Sequence, residues 1–141
     1  MPMVQLIVGN KGKGKTKILL EKVNTQVQEV AGNIVYLDKS TKHMYELNNK
    51  VRLIDVSEYI ISNYEEFAGF VSGIISQDHD LQQMYFDSFL KIAVVSNDEL
   101  DAAVAKLEQI SDKFKVDFVL SVSLDESEIS ESLKEKVIVA L

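Results

Sequence analysis

Two rhythms of apolar residues alternate along the chain. Residues 4–8, 34–37, 51–54, 84–86, 118–122 and 137–141 form short, nearly unbroken apolar runs rich in valine and isoleucine. Such runs are the mark of strands buried on both faces. Between them the spacing becomes helical. From Lys15, the residues Ile18, Leu19, Val23, Val27 and Val30 predict about four turns, ended by Gly32 as a left-handed stop. Ser57 is the predicted cap of a long helix whose apolar face holds Ile60, Ile61, Tyr64, Phe67, Val71, Ile74 and Ile75. Within it, Gly69 and Gly73 either weaken the helix or permit close packing. Ser96-Asn97-Asp98-Glu99 has the form of a capping box, and Leu100, Val104, Leu107, Ile110 and Phe114 follow at helical spacing. A short acidic helix is predicted around 129–133, and the polar stretch after residue 38 has room for one more. Periodicity leaves residues 90–95 open between strand and helix.

Strands that alternate with helices form βαβ units, and βαβ units build parallel sheets covered on both sides. The predicted fold is therefore α/β, a three-layer α/β/α sandwich around a mainly parallel sheet of five or six strands. The 141 residues suit a single domain with a real core.

Composition narrows the chemistry. The chain has no cysteine, which removes disulfides, thiolate metal sites and cysteine nucleophiles. No apolar stretch approaches the roughly 18 residues of a membrane span, and no basic leader precedes the first strand, so a cytoplasmic protein without membrane insertion is expected. Net charge is -7, and four lysines fall within the single segment 11–17, so the rest of the surface is more acidic still. That surface repels nucleic acid and argues against direct binding to it.

The basic segment carries the chemistry. Gly9-Asn10-Lys11-Gly12-Lys13-Gly14-Lys15-Thr16 satisfies G-x-x-x-x-G-K-[ST], the P-loop or Walker A pattern, and it lies between a predicted strand and a predicted helix, as that pattern requires. Gly9 and Gly14 allow backbone angles that turn successive N–H groups inward around a phosphate. The following helix adds its free N–H groups and positive dipole end. Lys15 can reach β- and γ-phosphates, and the Thr16 hydroxyl can ligate Mg²⁺. Lys11, Lys13 and Lys17 are further cations at the edge of the same cradle. The bland alternative is a glycine-rich surface loop.

On these residues the chain resembles the P-loop NTPases. The resemblance implies ATP or another nucleoside triphosphate, held with Mg²⁺, and a metal-binding aspartate at the end of a second buried strand. Three runs end in aspartate, at Asp38, Asp55 and Asp87. Asp87 ranks first, because Met84-Tyr85-Phe86-Asp87-Ser88 is similar to the Walker B run of RecA-like ATPases, the class with an additional strand between the two motifs; Asp55 ranks second. The partition-ATPase variant of the loop is disfavoured, since Asn10 stands where its signature lysine belongs. A distant resemblance extends to motor ATPases, among them pilus-retraction ATPases, although the chain is short for their accessory domains. The family's catalytic glutamate has no counterpart: Ser40 and Ser88 stand at its positions, leaving Glu58 as the substitute, against a simpler reading as a dipole-complementing residue. Ser121 and Ser123 resemble a polar sensor near the γ-phosphate.

Arg52, the one arginine, begins a strand, whereas a P-loop site lies beyond the strands' carboxyl ends. An arginine finger in cis is thereby excluded, and slow hydrolysis that depends on a protein partner or on homo-oligomerisation is expected. Two alternatives remain: an interaction protein that binds nucleotide without turnover, and a small nucleoside or nucleotide kinase, against which the lack of an arginine-rich clamp counts. His43 and His79 are isolated, and the segment around His79 reads as a polar turn. The aromatic residues read as core.

Overall fold

The computed structural model describes residues 3–141. The strands are β1 (Val4–Val8), β2 (Asn33–Asp38), β3 (Val51–Asp55), β4 (Leu81–Phe86), β5 (Asp117–Val122) and β6 (Val137–Ala140). They form one six-stranded parallel sheet in the order β3-β2-β4-β5-β1-β6. The helices are α1 (Lys15–Gln26), α2 (Tyr64–Ser76), α3 (Phe89–Ile92), α4 (Leu100–Phe114) and α5 (Glu131–Lys134). None of them is long and apolar enough to cross a membrane.

Side chains alternate across a strand, so each strand supplies two cores. Val4, Leu6 and Val8, with Val35, Leu37, Met84, Phe86, Phe118 and Leu120, face α2, α3 and α4. Ile7, Ile34, Tyr36, Tyr85 and Val119 face α1 through Leu19, Leu20 and Val23. The predicted three-layer α/β/α arrangement is thus present, with six strands. On the α2 side, Phe67, Phe86, Phe89 and Phe118 meet edge-on, with centroids 5.2–6.2 Å apart. That cluster anchors the single turn of α3, Phe89–Ile92, which overlaps the stretch 90–95 that periodicity leaves open.

The same alternation positions the polar strand ends. Tyr36 and Asp38 share parity with Ile34, Asp87 with Tyr85, and Ser121 with Val119, so all four lie on the α1 face. The start of α1 sits beside them at the carboxyl end of β1. The chain leaves β1 toward α1 on one face and leaves β4 and β5 toward the helices of the other. Connections that part in this way open a crevice at the strands' carboxyl ends.

Several boundaries differ from expectation. Residues 57–62 are not α-helical: Val56–Glu58 is one 3₁₀ turn, and α2 starts later because Asn63 accepts the N–H of Glu66 at 2.8 Å while the Glu66 carboxylate accepts the N–H of Ser62. That reciprocal cap replaces Ser57 as the helix start. Ile60, predicted on the apolar face, is 95% exposed. Helix α1 ends at Gln26 rather than near Val30, and Gly32 is not left-handed. Its glycine is needed for space, because a Cβ there would sit 2.1 Å from the Asp80 carbonyl oxygen. Gly69 and Gly73 face open space, so close packing is not their reason. The capping box at Ser96 forms as the spacing predicts and leads into α4.

Candidate functional site

Residues 9–14 leave β1 through three glycines with positive φ: Gly9 at 155°, Gly12 at 86° and Gly14 at 93°. Gly14 immediately precedes α1 and is left-handed, a conformation that costs a side-chain-bearing residue about 1–2 kcal/mol. At Gly12 and Gly14 an added Cβ would meet nothing within 4 Å, so both backbones border open space. The Gly9 N–H donates to the Leu124 carbonyl at 2.8 Å, which ties the loop's first residue to the segment after β5. Lys15 is buried, and its Nζ donates to the Asn10 carbonyl at 3.1 Å. Burial lowers its pKa, with the Asp87 charge opposing.

Opposite the loop stands Asp87, just past β4 and 2% exposed. Its Oδ1 accepts from the Thr16 hydroxyl at 3.1 Å and from the Ser121 hydroxyl at 3.1 Å; its Oδ2 accepts from the Tyr36 hydroxyl at 2.8 Å. Ser121 in turn accepts the N–H of Ser88 at 2.8 Å. Ser88 needs that anchor, because it holds a left-handed φ of 57°. The Tyr36 phenol, deep in the α1 core, has its pKa pushed far upward by burial and then by the Asp87 charge, so it remains a donor. One carboxylate thereby joins β4, β2, β5 and the first turn of α1.

Asp38 ends the neighbouring strand, where β2 pairs with β4, and it too is 2% exposed. Its Oδ1 accepts the Lys39 N–H at 2.7 Å, while Oδ2 is a buried oxygen with no hydrogen-bond partner. Burial, and then the nearby Asp87 charge, raise its pKa to about 6, against the pull of the Lys39 N–H and of the His43 and Lys39 charges. A buried carboxylate oxygen without a partner is costly, and such groups gather where chemistry or a ligand needs them.

A cleft of about 480 Å³ joins these parts. The loop contributes Lys11, Gly12, Gly14, Lys15 and Thr16; Asp87, Ser88, Leu90 and Lys91 form a second wall; Lys39, Ser121 and Ser123 complete it. That volume lies in the range of small-molecule sites.

Compared with known proteins, the chain matches no family model and no curated protein. The reading of the site therefore rests on its own residues. Lys11, Gly12, Gly14, Lys15 and Thr16 come together as their spacing predicts, with Gly9 and Asn10 beneath them. Lys13 does not line the cleft; its charge acts on Asp125, whose carboxyl is held low chiefly by the Ser127 hydroxyl and N–H. Lys17 lines a separate groove with Glu21, Asn24 and Glu46. Of the strand-end aspartates, only Asp87 meets Thr16. Asp55 is one strand beyond Asp38, and its Oδ1 accepts the N–H and hydroxyl of Ser57 at 3.0 and 2.6 Å. Glu58 is exposed and lines an outer groove with Asp55 and Tyr45, not the cleft. Arg52 lies at the amino end of β3, the end of the sheet away from the cleft.

Tyr36, Lys39 and Lys91 were not legible as site residues, because a tyrosine in an apolar run reads as core and a lone lysine reads as solvated surface. Among the described residues no three His, Asp or Glu side chains converge as a metal cluster. The Thr16 hydroxyl beside the Asp87 carboxylate is instead a hard oxygen pair, the donor set that suits a Mg²⁺ ion keeping most of its own waters.

Proposed function

We propose that this protein binds a nucleoside triphosphate with Mg²⁺ in the cleft between residues 9–16 and the carboxyl ends of β4 and β5, and that any hydrolysis is slow without a partner. One observation carries the reading: the Thr16 hydroxyl, at the first turn of the helix that follows the glycine loop, donates to the buried Asp87 carboxylate. In a P-loop site those two groups hold the metal between them. The strand order supports the additional-strand, RecA-like form, since β5 lies between β1 and β4.

Each residue then has a task. The N–H groups of residues 12–16 and the dipole of α1 bind phosphate oxygens. Lys15 moves from the Asn10 carbonyl to the β- and γ-phosphates. Thr16 and Asp87 would hold Mg²⁺, which would supply positive charge against the phosphates. Tyr36 and Ser121 fix the rotamer of Asp87, so that its oxygens are oriented before the ligand arrives. Asp38, rather than Glu58, is the carboxylate to which we assign the orienting of attacking water, because its Oδ2 is buried without a hydrogen-bond partner and it lies one strand from Asp87. Among the described residues, Lys11, Lys39 and Lys91 are the cations besides Lys15 that line the cleft, and no arginine does. Lysine is a point charge without the bidentate fork of an arginine finger, which is why turnover is expected to be slow.

The test is equilibrium binding of a fluorescent ATP or GTP analogue to the wild type and to Lys15→Ala. Saturable binding that weakens by about 100-fold, or roughly 2.7 kcal/mol, in the variant is expected. Equal binding by both proteins overturns the assignment of the loop.

A further inference from the structure

Beside the cleft, on the α2 and α3 side of the sheet, lies a second hollow of about 290 Å³. Its walls are mainly apolar, formed by Val56, Tyr59, Ile61, Ile92 and Val94 together with Ser57. Its rim carries Lys39 and Lys91, the same two lysines that edge the nucleotide cleft, so the two spaces adjoin along them. In a chain with a net charge of -7, no acidic residue lines this hollow. Among the described residues neither lysine makes an ion pair.

The backbone adds an independent observation. Helix α3 closes with a Schellman motif, in which the Val94 N–H donates to the Lys91 carbonyl and the Val95 N–H to the Leu90 carbonyl at 2.9 Å. The motif puts the residue after the cap in the left-handed region, and here that residue is Val94, with φ 55°. Glycine belongs at this position, and a β-branched side chain is the least suited to it. Burial does not compensate, because Val94 is 44% exposed. Strain of this kind, held at the mouth of a pocket, points to a side chain kept for what it touches when the pocket is filled.

We propose that this hollow binds a small amphipathic anion, with its anionic head group between Lys39 and Lys91 and a compact aromatic or branched body against Val56, Ile92 and Val94. Lysine ammonium groups meet the head group at the wet rim, and the apolar walls desolvate the body. The proposal does not rest on the nucleotide reading, and its test uses nucleotide-free protein.

The probe is 1-anilinonaphthalene-8-sulfonate, an aromatic anion whose emission rises in apolar surroundings, with N-phenyl-1-naphthylamine as its uncharged counterpart. Titrated into the native full chain, the anion is expected to bind saturably at one site and the uncharged dye at least about tenfold more weakly, a difference of about 1.4 kcal/mol. The double variant Lys39→Ala/Lys91→Ala is expected to lose about tenfold in anion affinity. Val94→Gly separates site from fold: it relieves the strained backbone and raises the thermal midpoint, yet weakens the dye by removing a wall. Absence of saturable binding in the folded wild type, equal affinity for both dyes, or affinity unchanged in both variants overturns the proposal. Each of these results leaves the loop assignment untouched.

Discussion

Two aspartates end adjacent strands of this sheet, face the same helix and are equally buried, yet their surroundings are opposite. Asp87 accepts three hydroxyls, from Thr16, Ser121 and Tyr36. Asp38 accepts one backbone N–H and leaves its second oxygen without a partner. A buried carboxylate with several donors is held in place; one that lacks them is pushed toward its neutral form. The contrast separates two kinds of functional group in one site. Asp87 is fixed by three donors and Asp38 keeps one buried oxygen without a partner, so on the proposed reading the first would hold a cation and the second a water.

The largest effect that can break this contrast is on turnover. Single-turnover phosphate release should fall by about 100-fold in Asp38→Asn, the scale of a lost general base, while Glu58→Gln stays within about twofold of wild type. A large loss in Glu58→Gln instead would return the water-orienting role to the outer groove.

Stability gives a second test, because a raised carboxyl pKa has a definite sign. Below pH 3.8, the unfolded value, both states carry the proton and the shift costs nothing. As pH rises toward about 6 the folded chain binds the extra proton, so stability is lost across that window and stays low above it. Asp38→Asn removes the ionisation. It should therefore stabilise the nucleotide- and metal-free protein at pH 8 by on the order of 2 kcal/mol, and by nothing near pH 4. Urea unfolding at the two pH values measures the difference; a variant destabilised at pH 8 means that Asp38 has a partner that offsets its burial.

The smallest effect sharpens the other side. Tyr36→Phe removes one donor from Asp87 and leaves the stacked contact with Tyr85, 6.4 Å between centroids, in place. A loss of about 0.5–1.5 kcal/mol in unfolding free energy is expected, the usual net range for an intramolecular hydrogen bond. No loss would mean that Thr16 and Ser121 suffice to hold the carboxylate.

Much of this site could be read before the coordinates. The strands were legible because each is buried on both faces and so forms an unbroken apolar run. The glycine loop was legible because its glycines stand where the backbone between a strand and a helix takes positive φ. Asp38 was noted as a strand end, but its burial follows only from strand alternation combined with sheet order, which local pattern does not supply. Tyr36 was hidden for a related reason: its ring is core, and only the register between β2 and β4 brings its hydroxyl to Asp87. Ser57 was misread as a helix start because Asn63 with Glu66, six residues on, makes the better cap. Lys13 shares the basic segment, yet it does not line the cleft.

The most direct test of the central claim is calorimetric titration of ATP into the wild type and Asp87→Asn, each with and without Mg²⁺. If Thr16 and Asp87 hold the metal, Mg²⁺ should tighten ATP binding to the wild type by about tenfold or more, roughly 1.4 kcal/mol, and should do nothing for the variant. Wild-type protein that binds no nucleotide, or a Mg²⁺ effect that survives in Asp87→Asn, would contradict the account.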